Sequence, residues 1–76
     1  MMFTFEVLFT DGTLTSAEHI VEADVYQSNN KIRTVSGDAI LTNAFLVTQS
    51  LVLRSETGNC AISCDGIRSI SITKEA

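Results

Sequence analysis

The chain is 76 residues long and 45% hydrophobic, has neither proline nor tryptophan, and carries nine acidic against five basic side chains for a net charge of −4. That length holds a single domain, residues 1–76, and leaves no room for separate catalytic and regulatory units. The charge disfavours direct nucleic-acid binding, whose footprint is a basic stripe: residues 1–30 hold Glu6, Asp11, Glu18, Glu22 and Asp24 with no Lys or Arg.

The first element is a strand over residues 3–9, because Phe3, Phe5, Val7 and Phe9 alternate with Thr4, Glu6 and Leu8, the period of a half-buried strand. Asp11 and Gly12 then read as a two-residue hairpin turn, which would pair Phe9 with Leu14 and Val7 with Ser16. Residues 15–24 carry two signals. Thr15 and Glu18 have the spacing of a capping box, and Ala17, Ile20, Val21 and Asp24 share a helical face. The same stretch alternates, with Val21, Ala23 and Val25 on one side and Glu22, Asp24 and Tyr26 on the other. A strand over about residues 20–27 is expected, with room for one helical turn near residues 15–19. Residues 28–31 form a turn, residues 31–36 a short strand, and Gly37 with Asp38 the next break.

Residues 39–53, AILTNAFLVTQSLVL, hold more apolar side chains than so small a chain readily hides. They read as two strands, 39–48 and 50–55, or as one long bent strand. Covering both faces of such a run needs a closed barrel or a second subunit. Self-association as a homodimer or larger oligomer is therefore expected, through Phe45, Val47, Leu51 and Leu53. After a turn at residues 56–59, Cys60, Ile62 and Cys64 form one face of a strand, and Ile70 and Ile72 one face of the last. A loop over residues 65–67 would pair Ile62 with Ile70 and Cys60 with Ile72, whereas a tighter turn would set the two apolar faces on opposite sides.

Catalytic signatures do not emerge. His19 could serve as a general base for Ser16 or Thr15, oriented by Glu22 or Asp24, but a solvated histidine among acidic neighbours is the better reading, and the chain is read as a non-enzyme. No metal or other cofactor is expected: one His and two Cys fall short of a zinc ligand set, and the acids lack calcium-loop spacing. Cys60 and Cys64 lie too far apart along one strand for a disulfide. The segment MMFTFEVLF contains Glu6 and no basic residue, unlike a secretory signal. Residues 39–53 are too short and too polar to span a bilayer as a helix. No membrane is implied, and the cytoplasm is the expected location.

Two binding surfaces follow from charge. Glu18, Glu22 and Asp24 could dock onto a protein with a basic surface. Alternatively, Arg33, Arg54 and Arg68, set among Ser and Thr, could clamp a nucleotide or acidic metabolite at a subunit junction. The expected fold is all-β, a small antiparallel barrel or curled sheet of six to eight short strands. In size, acidity and lack of catalytic motifs the chain is similar to small phage-encoded or mobile-element inhibitors of host defence proteins, a likeness that carries no residue with it. It implies inhibition of a nucleic-acid-handling partner.

Overall fold

The computed structural model describes residues 1–43 and 45–75. Alternation dictates β1 (Phe3–Phe9): Phe3, Phe5 and Val7 are fully buried while Glu6 is exposed. β2 (Leu14–Tyr26) pairs antiparallel with β1. It is longer than the expected 20–27 strand, and the helical turn near residues 15–19 is replaced by continuous strand. The hairpin register also differs by one residue, matching Leu8 with Leu14, Val7 with Thr15 and Glu6 with Ser16. The cause is local. Asp11 Oδ1 accepts from the Thr13 N–H at 2.9 Å and the Thr13 hydroxyl at 2.7 Å, and the Phe9 N–H closes on the Thr13 carbonyl at 2.9 Å. This widens the turn, and the slip sends Leu14 to the outer face.

β2 bends at two bulges. Between the pairs Phe5–Ala17 and Phe3–Ile20 it carries one residue more than β1, and between Ile20–Ser55 and Glu22–Arg54 one more than its other neighbour. Ala17, Ile20 and Ala23 therefore face the core at intervals of three residues instead of two. Each extra residue kinks the strand and sharpens its twist.

β3 (Ile32–Ser36) and β4 (Leu51–Ser55) flank the second half of β2 on opposite sides, both antiparallel to it. They therefore run parallel to each other, and parallel strands need a crossover of about a dozen residues or more. Residues 37–50 supply it. This corrects the expectation of a strand over 39–48: the segment begins as a helical turn, α1 (Ala39–Thr42), and continues as irregular chain to Ser50 among the described residues. Residue 44, part of that expected strand, lies outside them. Two apolar side chains of the crossover, Ile40 and Phe45, cover the core, while Leu41, Leu46 and Val47 stay exposed. Ile40 is fully buried, and the Phe45 ring meets Phe5 edge-on at 5.4 Å.

β5 (Gly58–Ile62) pairs with β4, and β6 (Ile67–Lys74) pairs with β1. The strand order is β5-β4-β2-β1-β6, with β3 also on β2. The expected pairing of Ile62 with Ile70 and Cys60 with Ile72 is thus overturned, because β5 and β6 are opposite ends of the sheet. In a flat sheet those ends would stand about 19 Å apart, four strand spacings. Residues 62 and 67 can be separated by at most about 18 Å when extended. A turn within the connection, with the Ile67 N–H on the Cys64 carbonyl at 3.3 Å, shortens it further. The sheet must curl, and it does so without closing into a barrel. Its inner face holds one core of Phe3, Phe5, Val7, Ile20, Ala23, Val25, Val35, Leu51, Leu53, Ile62 and Ile67, capped by Ile40.

Candidate protein-binding face

The outer face of the sheet is set by register. Tyr26 lies opposite Ile32, Asp24 opposite Thr34 and Val52, Val52 opposite Ala61, and Glu22 opposite Arg54. Paired residues share a face, so β3, β2, β4 and β5 together present Ile32, Tyr26, Val52 and Ala61 beside a charged group. Tyr26 is 42% exposed and Ile32 55%. Tyr26 also borders two depressions. One is a cleft of about 500 Å³ shared with Gln27, Leu46, Thr48, Gln49 and Cys64; the other is an apolar groove of about 260 Å³ shared with Val52, Ala61 and Ser63.

The charged group is built around Asp24, which is only 4% exposed although it lies on the outer face. Its carboxylate accepts from the Thr34 hydroxyl at 2.8 Å and from the Arg54 guanidinium, and Arg54 lies 3.9 Å from Glu22. The two donors, the Thr34 hydroxyl and the Arg54 guanidinium, are what make that burial tolerable. Asp24 is therefore spent within the molecule. Of the three acids expected to dock a partner, Glu18 and Glu22 remain accessible.

The three arginines do not converge. Arg54 is held by Asp24 and Glu22, Arg33 sits on β3 with its partner Val25 on the opposite face of β2, and Arg68 lies on β6 beyond β1. The expected oligomer interface is likewise redistributed. Leu51 and Leu53 are buried in the core of the single chain, inaccessible to another, and Phe45 packs onto Phe5; Val47 is exposed.

His19 has its own architecture. It occupies the first bulge of β2 with φ of 61°, and its backbone N–H donates to Glu75 Oε2 at 2.6 Å. Glu75 Oε1 lies 2.7 Å from Nδ1, which must carry the proton because an ionised carboxylate only accepts. The Thr4 hydroxyl adds a third bond at 3.0 Å. The backbone N–H bond from His19 is the main cause holding the Glu75 carboxyl below its ordinary value, with the ring and Thr4 adding to it against partial desolvation. The carboxylate that orients this histidine is thus Glu75 rather than Glu22 or Asp24, and the arrangement ties the end of β6 to the bulge.

Among the described residues no group of three or more His, Cys, Asp or Glu is placed to hold a metal ion, and no helix is long and apolar enough to cross a membrane. Cys60 and Cys64 are free thiols, both half-buried. Sequence reasoning placed Tyr26 with Glu22 and Asp24 on one face but did not single it out. The available signal was an aromatic ring on an otherwise polar strand face. The chain matches no family model, no curated protein and no solved structure.

Proposed function

We propose that this chain is a small acidic protein-binding module that acts by occupying the surface of a partner and has no catalytic role. The observation supporting this is the exposed Tyr26, set between two depressions and flanked by Ile32, Val52 and the Asp24–Arg54–Glu22 group. Apolar centres rimmed by charge are the usual anatomy of interfaces, and Tyr and Arg are enriched among the residues that carry their binding energy. With a net charge of −4 and with Glu18 and Glu22 accessible, the fitting partner has basic groups around an apolar spot. Nucleic-acid-handling enzymes carry basic surfaces, and covering one would inhibit it, in the manner implied by the likeness to phage and mobile-element inhibitors. The reading places the protein in the cytoplasm, where thiols such as Cys60 and Cys64 stay reduced.

Affinity capture with three versions of the chain tests this: wild type, Tyr26→Ala, and the pair Glu18→Gln and Glu22→Gln. Wild type should retain a basic partner that about 0.5 M salt releases, since exposed charge pairs are screened there. Tyr26→Ala should weaken that complex by about thirtyfold, the loss typical of an interface anchor. Retention of the partner by both variants, or a complex that tightens with salt, would rule this face out.

A further inference from the structure

The larger depression beside Tyr26 is walled by three segments that the fold brings together: residues 26–28 at the end of β2, Leu46 and residues 48–50 at the end of the crossover, and Cys64 after β5. Hydrogen bonds fix these walls. The Tyr26 N–H donates to the Ser50 carbonyl at 3.0 Å, the Gln49 N–H to the Leu46 carbonyl at 3.1 Å, and the Cys64 N–H to Ser50 Oγ at 3.0 Å. The cleft is therefore preformed, and its volume of about 500 Å³ is that of a small-molecule site. Its lining is of one chemical kind. Gln27, Ser28, Thr48, Gln49 and Ser50 supply amides and hydroxyls, Tyr26 and Leu46 supply apolar surface, and no charged side chain among the described residues takes part. Gln27, Gln49 and Ser50 are half-buried. No side-chain hydrogen bond among the described residues engages the amides of Gln27 and Gln49 or the Thr48 hydroxyl. These groups are left for a ligand.

We propose that this cleft binds a neutral carbohydrate, a mono- or disaccharide of uncharged hexose units. The lining selects the class. A phosphate, carboxylate or ammonium group entering it would give up water without gaining an opposite charge, and the net charge of −4 further repels anions. A wholly apolar ligand would strand the amides and hydroxyls. What fits is a neutral molecule rich in hydrogen-bonding groups. Each sugar hydroxyl both donates and accepts, as do the amides and hydroxyls of the lining, so pairs form around a ring whose C–H face rests on Tyr26 and Leu46. A planar base offers fewer such groups and depends on stacking, and Tyr26 is the one aromatic side chain among the described residues of the lining. This site goes beyond the reading of the chain as a protein-binding module and does not depend on it.

The experiment is a titration of the isotope-labelled full chain, read by its amide NMR shifts, with maltose, lactose and N,N′-diacetylchitobiose, and separately with adenosine and AMP. At least one of the sugars should give saturable shifts confined to residues 26–28, 46–50 and 64, with a Kd on the order of 1 mM. Thr48→Val and Gln49→Ala each remove a hydrogen-bonding group from the lining and should each weaken that binding by about tenfold, with the rest of the amide spectrum in place. The absence of a saturable shift with all three sugars at about 20 mM, well above that Kd, overturns the proposal. So do shifts that fall elsewhere on the sheet, or sugar binding that both variants leave unchanged. Adenosine or AMP binding here more tightly than every sugar overturns it as well, since stacking or charge would then govern the cleft.

Discussion

Glu75 shows how a single side chain at the margin of the sheet can fasten two elements. It accepts from the His19 backbone, the His19 ring and Thr4, while its own N–H reaches the Met2 carbonyl at 2.9 Å. The carboxyl is held below its ordinary value of 4.5 in the folded chain, chiefly by the His19 N–H. A folded value below the unfolded one means that the contribution to stability is complete above the ordinary range and is lost as pH falls through the folded value. Glu75→Gln should therefore lower the Tm at neutral pH, and the gap to wild type should close on acidification. Thermal melts at a series of pH values check this. A gap that is constant with pH, or that widens in acid, would show that the carboxylate charge is irrelevant to the clasp. Asp11 is likewise held below its ordinary value, through the side chain and then the backbone of Thr13, which is the electrostatic counterpart of the widened first turn.

Among the elements, β2 decides the shape. Its two bulges set Ala17, Ile20 and Ala23 inward three residues apart, a spacing that resembles helical periodicity. That is why residues 15–24 carry both a helical and a strand signal. A bulge is a tertiary solution to bending a sheet, and nothing in local propensity distinguishes it from the start of a helix. The left-handed backbone at His19 is the testable part. A β-branched side chain there is expected to cost about 1–2 kcal/mol, whereas glycine tolerates the conformation. His19→Val should thus be less stable than His19→Gly, both keeping the backbone N–H that Glu75 accepts. Denaturant unfolding of the two variants measures the difference, and equal midpoints would show that the conformation at residue 19 is not under steric control. The crossover tells a similar story at element scale. β3 and β4 both pair with β2, so residues 37–50 must travel over the sheet, and a strand there has no neighbour to join.

At the scale of the whole molecule, the margin is small. A domain of this length has a total stability of about 4–11 kcal/mol, and its core lies on the inner face of one curled sheet under a lid of a single helical turn and irregular chain. Phe5 sits at the centre of this arrangement, fully buried and in contact with Phe45 of the lid. Phe5→Ala is expected to cost about 3–5 kcal/mol, a large part of the total, and Phe45→Ala about 1–2 kcal/mol because its ring is half-buried. Urea titrations of the two variants check the order. Phe45→Ala proving the more damaging would mean that the lid, rather than the sheet, holds the fold together.

The sequence by itself determined the all-β class, the first strand and its buried face, the turns near Asp11, Asn30 and Thr57, and Tyr26 sharing a face with Glu22 and Asp24. Each of these rests on period-two alternation or on the backbone preferences of a few residues, which are local and survive any partner. Tertiary structure alone decided that β5 and β6 lie at opposite ends of the sheet, that Ile40 and Phe45 cover the core from a helical turn and irregular chain where a strand was expected, and that Leu51 and Leu53 are interior. It also decided that Asp24 is paired with Arg54 and that Glu75, 56 residues away in the chain, is the carboxylate beside His19. These outcomes depend on which strands meet and on how far the sheet curls, and strand pairing is settled by the competition of all the apolar faces for one small core.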